Sequence, residues 1–491
     1  MFMFCVKVFF AYIIGSSIAW IYRKYQLFQT FTRKGIKGPK PNLLVGNYWD
    51  LRQPPDNKLP HEVMNDWIDQ YGNILGYYSP NRCHLVINDV HILKKISVHK
   101  AFQDREPLVL DVDPLRHSLF AIGGESWRRS RKTISPLLSR FKVNSPPISD
   151  VVDDCVNNYI SHLRPEEVPT DEPFTINIVE NVHRFTFDVI CRTSLGMKTD
   201  CYSENDQLVQ AVVDFFENAF NNAVLLGEMF PFFASILTFI NNYLTAGKMT
   251  DTIVGHLKHQ VKQFLDSKGK DNQQNEKVVF LKAMLTFLAE EKLTQQEFTG
   301  NIYLIVLAGF EATANALIFC LYLIAKHQHI QDKIRSDLHL EPSNERSYID
   351  MVWLESLRYY PPPISVVNRQ ASQTVNIEGL TIEKGWVVEA PVWQIHHSDV
   401  YWTDPWLFDP ERFSPDNSKS IEPAAFLPYG FGGRTCLGMN LANLEARKFL
   451  TTILSKYRIT FSEKTMDPIK FKVPTSILNP DGPVYLKFEP L

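Results

Sequence analysis

Tyr429-Gly-Phe-Gly-Gly-Arg-Thr-Cys-Leu-Gly438 is the stretch on which the reading of this chain turns. Four glycines and one arginine surround Cys436, and an apolar helical pattern follows at Leu441, Leu444, Phe449 and Leu450. Such a loop is tight, and it presents a thiol at the start of a helix. The free amides and positive end of that helix favour a thiolate. Glycines let the backbone approach something flat and large. Taken alone, the same residues also describe an ordinary turn.

Composition narrows the classes. The chain has 491 residues, 45% hydrophobic and 21% charged, with 33 Phe. That balance is globular, neither disordered nor fibrous, and it leaves room for a bulky apolar ligand. The net charge of −3 gives no global attraction to nucleic acid. At roughly 150 residues per domain the length alone suggests about three domains. The seven cysteines are widely spaced and form no C-x-x-C, which argues against a zinc ribbon, a redox pair or a disulfide framework.

Residues 3–22, MFCVKVFFAYIIGSSIAWIY, read as a transmembrane anchor. Twenty helical residues at about 1.5 Å each cover roughly 30 Å, the hydrocarbon thickness of a bilayer. Lys7 is the one charge inside, close enough to an end to snorkel. Trp20 and Tyr22 sit at the other boundary, and Arg23, Lys24, Arg33, Lys34, Lys37 and Lys40 follow. The positive-inside rule keeps the body cytoplasmic. A cleaved signal peptide would carry its charge before the apolar run and small residues after it, and here both are reversed. The expected organisation is an anchor over 1–22, a basic and Pro-rich link over 23–45, and one body over 46–491.

Residues 303–325 are apolar enough to imitate a second span, but Gly309, Glu311 and Asn315 lie in the middle. A carboxylate at mid-bilayer costs at least about 3 kcal/mol. A buried helix through the centre of a large globule fits better. Thr294 and Glu297 form a capping box, with Leu293 and Phe298 as the hydrophobic staple, and the helix is expected to run to about His327. The stretch 267–277 reads as a polar surface loop and 341–344 as a turn.

The cysteine loop resembles the haem-binding loop of cytochrome P450 enzymes, F-x-x-G-x-R-x-C-x-G. Gly432, Arg434, Cys436 and Gly438 match, Tyr429 replaces the usual Phe, and Gly433 sits where Pro is common. The resemblance implies haem b as cofactor, Cys436 as its iron ligand, and the amides of Leu437 and Gly438 on the sulfur. Glu355-Ser-Leu-Arg358, followed by Pro410-Glu-Arg-Phe413, is similar to the family's structural triad, Glu355, Arg358 and Arg412. Trp127, Arg131, Arg369, Arg434 and Arg105 resemble its haem-propionate contacts, since a guanidinium suits a carboxylate. Phe187-Asp-Val-Ile190 and Gly438-Met-Asn-Leu-Ala442 resemble the clan of vertebrate drug- and steroid-oxidising and insect detoxifying enzymes. The implied fold is mostly α with a small β region, a single large domain behind the anchor, which overrides the length argument.

Two departures stand out. Ala308-Gly-Phe-Glu-Ala-Thr313 has Ala312 where the family pattern places the Thr that assists proton delivery. Glu311 and Thr313 are the remaining catalytic candidates, with a substrate hydroxyl or ordered water as substitutes. Second, only 19 residues separate Arg335 from Glu355, so an insert usual in microsomal relatives is trimmed.

The resemblance implies a monooxygenase inserting one atom of O2 into a sterol, fatty acid or xenobiotic. It is expected at the endoplasmic reticulum membrane, with an NADPH-dependent flavoprotein reductase, and a b-type cytochrome as a second partner. Arg128, Arg129, Lys132, Arg140 and Lys142 make a basic patch for docking. The expected pocket is Phe310, Ala312, Ile364, Val366, Val367, Ser476 and Ile477, roofed by Phe215, Phe216, Phe220 and the run 229–239. Two alternatives remain: a haem-thiolate isomerase or dehydratase acting on lipid peroxides without reductase, and a non-catalytic haem-based sensor.

Overall fold

Thr294 opens the longest helix, Gln295–Lys326, as the expected capping box: its Oγ1 accepts from the Glu297 amide at 3.1 Å, and Glu297 Oε2 accepts from the Thr294 amide at 2.9 Å. Leu293 and Phe298 are both buried beside it, and His327 caps the other end. The computed structural model describes residues 2–491 except 53–55, 57, 108–112, 198, 200, 204–205, 219–225, 228, 231–232, 245, 267–278, 339–346, 365–366 and 475. The loop at 267–277, the turn at 341–344, Phe220, Val366 and part of the run 229–239 therefore lie outside the described residues.

Residues 314–325 of the long helix are buried without a break, so it has no solvent face there. Among the described residues it is the one helix long and apolar enough to cross a membrane, yet 67% of its most apolar window is buried in protein. It is the central beam of a mostly helical fold. The helix Ile178–Ile190 lies along it. A Cβ on Gly309 would stand 2.6 Å from Ile190 Cδ1, so the glycine is there for close helix approach.

The β region is small. Strands Ile74–Ser79, Arg82–Ile87, Val387–Glu389 and Asn368–Gln370 lie side by side in that order, with the middle pair parallel. Tyr485–Pro490 runs between Phe174–Asn177 and Tyr457–Phe461. Two two-stranded ribbons complete it, Val375–Ile377 with Leu380–Ile382 and Phe471–Lys472 with Asn479–Pro480.

The segment expected to be the anchor is helical, Phe2–Phe28. The link expected over 23–45 is docked rather than free. Lys24, Phe28 and Phe31 are buried, Phe31 lies 4.8 Å from the Trp386 ring, and Lys24 Nζ donates to Asn81 Oδ1 at 2.7 Å. Counting charges hid this, because two phenylalanines and a lysine stem bury well against a sheet edge.

Glu355, Arg358 and Arg412 come together in the interior. Arg358 donates from Nε and Nη2 to the two Glu355 oxygens, both at 2.7 Å, and both side chains are fully buried. Arg412 Nε lies 3.4 Å from Glu355 Oε1, and the Asp409 amide donates to that oxygen at 3.0 Å. Arg358 Nη1 reaches His396 O and Pro405 O, each at 2.8 Å. His396 Nε2 in turn accepts from the Leu427 amide at 2.8 Å, two residues before Tyr429. The triad thus braces the approach to the cysteine loop. Removing one partner of a buried pair leaves an uncompensated charge. Glu355→Gln is expected to cost about 3–5 kcal/mol of stability, read as a lower midpoint of chemical unfolding; an unchanged midpoint would show that the bracing is dispensable.

Candidate active site

The cysteine loop is closed by its own backbone. The Cys436 amide donates to Tyr429 O at 2.9 Å, and Thr435 Oγ1 donates to Gly432 O at 2.7 Å. Gly432 has φ +63°, and a Cβ there would meet Ser97 O at 2.4 Å, so no other residue fits. Tyr429, in place of the usual Phe, donates its hydroxyl to Asn443 Oδ1 at 2.6 Å, which also accepts from Trp353 Nε1 at 2.9 Å. Gly438 then caps the helix Met439–Lys456.

Cys436 is the one exposed thiol among the described cysteines, yet burial by the surrounding fold still acts on it. A group with both properties faces an internal space. Burial pushes its pKa up. The amides of Gly438 and Met439 and the charges of Arg105 and Arg131 push the other way, favouring the thiolate. Leu437 and Gly438 were expected on the sulfur; the amides found acting on it are those of Gly438 and Met439.

Four guanidinium groups gather beside this space. Arg369 and Arg434 are buried, and Arg105 and Arg131 half-buried. Burial, then mutual repulsion with Arg105, lowers Arg369 to about 9 and Arg434 to about 10. Arg434 donates to the carbonyls of Gln103, Leu119 and Ile122 at 2.8, 2.9 and 2.8 Å, and its guanidinium lies 4.1 Å from the Trp127 ring centroid. Arg131 Nη2 donates to Thr435 O at 2.6 Å, and Arg369 stands over the Phe431 ring at 4.5 Å. Asp104, 3.6 Å from Arg434, offsets part of this charge. The remainder calls for anionic carboxylates.

The central helix carries a second set of open positions. Ala308 is exposed amid buried neighbours, and Leu304, Ile305, Ala312 and Thr313 are partly so. Leu304, Ala308 and Ala312 share one helical face. One segment joins this helix to the cysteine loop: the Leu119 amide donates to Asn301 Oδ1 at 2.8 Å, while Leu119 O takes the bond from Arg434.

Phe310, expected in the pocket, is buried, with the rings of Phe187, His183 and Phe216 5.9, 5.1 and 6.3 Å away. Two residues from Ala308 is about 200° around a helix. Ile364, Ser476 and Ile477 do come together: the Ile364 amide donates to Ser476 O at 3.0 Å, and Pro363 bridges Ile477. Val367 is buried next to them in sequence. Glu311 is buried and held by Asn479, whose Nδ2 donates to Glu311 Oε1 at 2.7 Å. Ala308 and Asn479 were missed. The i, i+4 spacing of Leu304, Ala308 and Ala312 carried the first; no local pattern carried a contact spanning 168 residues.

Haem is flat, bears two carboxylates and needs one axial donor. Cys436 and the arginine cluster supply a soft donor and cations around one space, so the residues fit the group. The Cytochrome P450 family model matches residues 36–488. The chain is 29% identical to rat cytochrome P450 3A18 over 486 residues, covering 93% of each chain. It is 28% identical to human cytochrome P450 3A7, with 94% of this chain and 92% of that one covered. It is also 28% identical to the golden hamster lithocholate 6-beta-hydroxylase, with 96% and 95% covered. Sequence and site thus converge, and the chain belongs to the cytochrome P450 family of haem-binding oxidoreductases.

Proposed function

We propose that the protein is a haem-thiolate monooxygenase that inserts one oxygen atom from O2 into an apolar small molecule. The observation that carries the reading is Cys436, a thiol open to an enclosed space and supported by two amides and two arginines. Bound haem would supply the oxygen chemistry. Cys436 Sγ would hold the iron, and Arg105, Arg131, Arg369, Arg434 and Trp127 would hold the propionate side. Leu304, Ala308, Ala312, Ile364, Val367, Ser476 and Ile477 would exclude water and orient substrate. A sterol-like substrate is favoured, because one relative is named for hydroxylating lithocholate.

Electrons would come from an NADPH-dependent flavoprotein reductase, with a b-type cytochrome as a second partner. Arg128, Arg129, Lys132, Arg140 and Lys142 are exposed, and Phe141 among them is 82% exposed. An exposed aromatic flanked in sequence by Arg140 and Lys142 suits an acidic partner. The endoplasmic reticulum membrane is the expected site, with one span and a cytoplasmic body. The Trp20 ring stacks on Phe230 at 5.5 Å, and Phe233, Ile236, Phe239 and Ile240 are exposed close by in sequence. Anchor and pocket roof thus offer a shared apolar face to lipid.

A second reading, a haem-thiolate isomerase or dehydratase acting on lipid peroxides, is kept because Ala312 removes a hydroxyl from the helix face. Reductase and NADPH decide between them. Coupled NADPH use with an oxygenated product supports the first reading, while turnover of a lipid hydroperoxide without NADPH supports the second. Cys436→Ala is expected to abolish the red-shifted spectrum of the reduced carbonyl complex; an unaltered spectrum would remove the proposed ligand. Electron transfer should slow as salt rises above about 0.1 M, where the Debye length falls below about 10 Å. Salt-independent rates would remove the steering role of the basic patch. Ala312→Thr is expected to raise the share of NADPH recovered as product. No gain would mean that neighbouring groups already serve.

A further inference from the structure

We propose that Asn315 and Asn479 are positioning residues that hold Glu311 as a neutral carboxylic acid, in a closed ring of three side-chain hydrogen bonds. Two bonds of the ring are present: Asn479 Nδ2 donates to Glu311 Oε1 at 2.7 Å, and Asn315 Nδ2 donates to Asn479 Oδ1 at 2.6 Å. Two atoms are left over, Glu311 Oε2 and Asn315 Oδ1, both buried without a hydrogen-bond partner. They belong to residues at i and i+4, neighbours on one helix face.

The orientation of each amide is dictated by its neighbour. A carboxylate oxygen in the Oε1 position accepts, so Asn479 must turn its NH2 toward Glu311 and its carbonyl toward Asn315. Asn315 must answer with its own NH2, which leaves its carbonyl over. With Glu311 ionised, two acceptors are stranded in the interior. One proton on Glu311 Oε2, directed at Asn315 Oδ1, answers both. Each of the three side chains then donates once and accepts once around the ring.

Charge around the ring agrees. Burial favours the protonated form of Glu311, while the Asn479 bond and Lys472 oppose it. Lys472 is the strand partner of Asn479 and is exposed, so solvent screens it. His183, from the helix packed on this side, is held toward its neutral form by burial.

The ring places a held proton one residue from Ala312, where the usual hydroxyl is missing. That use of the proton rests on the monooxygenase reading; the ring itself does not. Glu311→Gln separates the two, because glutamine reproduces the ring, its NH2 donating to Asn315 Oδ1 and its carbonyl accepting from Asn479, but has no acid proton to give.

The test is infrared difference spectroscopy of the ferric holoprotein across the neutral pH range, in H2O and D2O. The expected result is a protonated-carboxyl C=O band that shifts in D2O and is absent from Glu311→Gln. Thermal stability of that variant should match the parent. In Asn479→Leu the band should move or vanish, with Asn479→Gln restoring part of it. If Glu311→Gln removes no protonated-carboxyl band, or removes an ionised-carboxylate signal instead, the proposal is overturned, and an ordered water bridging the two oxygens takes the place of the proton.

With reductase and a turned-over substrate, Glu311→Gln and Asn479→Leu should cut the fraction of NADPH recovered as product by about tenfold or more. The Soret spectrum and the substrate-induced shift should be unchanged. Undiminished recovery in Glu311→Gln would overturn the ring's role in proton supply. A band present in a protein that shows no NADPH-linked turnover would sink the monooxygenase reading and leave the ring standing.

Discussion

Buried positive charge demands an answer, and the site is organised around that demand. Arg369 and Arg434 sit in the interior with Arg105 and Arg131 close by, and each depresses another's affinity for its proton. Backbone carbonyls of Gln103, Leu119 and Ile122 absorb the donors of Arg434, and Asp104 offsets part of its charge. A polypeptide that ended its accounts there would be strained by repulsion. A dianionic guest relieves it, and the same cations favour the ionised form of Cys436. In the proposed reading, the hold on the cofactor and the pull on the Cys436 proton are therefore two consequences of one electrostatic arrangement.

Holding those charges in place requires a rigid frame, and the frame is built from backbone geometry. Gly432 allows the loop to pass against Ser97, and the Cys436 amide closes it onto Tyr429. Behind it, Glu355 and Arg358 fix the carbonyls of His396 and Pro405, and His396 passes the constraint to Leu427. The chain from triad to loop is thus a run of hydrogen bonds between groups excluded from water, where each is stronger and costlier to break.

What the sequence disclosed follows from the range of the interactions. The capping box at Thr294 and the cysteine loop are local, set by residues within seven positions of each other, and both were legible. The Glu355–Arg358 pair was legible for the same reason, and Arg412 only through resemblance. The face of the central helix was hard to read, and Phe310 proves buried, because the helix is apolar all round and carries no amphipathic contrast. The docking of Phe28 and Phe31 was masked by surrounding lysines and arginines. Asn479 could not be reached at all, since its partners lie on a helix more than 160 residues away.

That long-range contact gives the C-terminal segment two duties. Ser476 and Ile477 pair with Pro363 and Ile364 to make a wall of the proposed pocket, and Asn479, two residues further, grips Glu311 and Asn315. A substrate pressing on the wall therefore bears on the segment that sets the orientation of the acid. Short strands of two residues are weakly held by their own ladder, so such a segment shifts more readily than the helix it touches. In the proposed reading, Ser476 and Ile477, which line the substrate, and Asn479, which orients the acid, thus belong to one short stretch of chain.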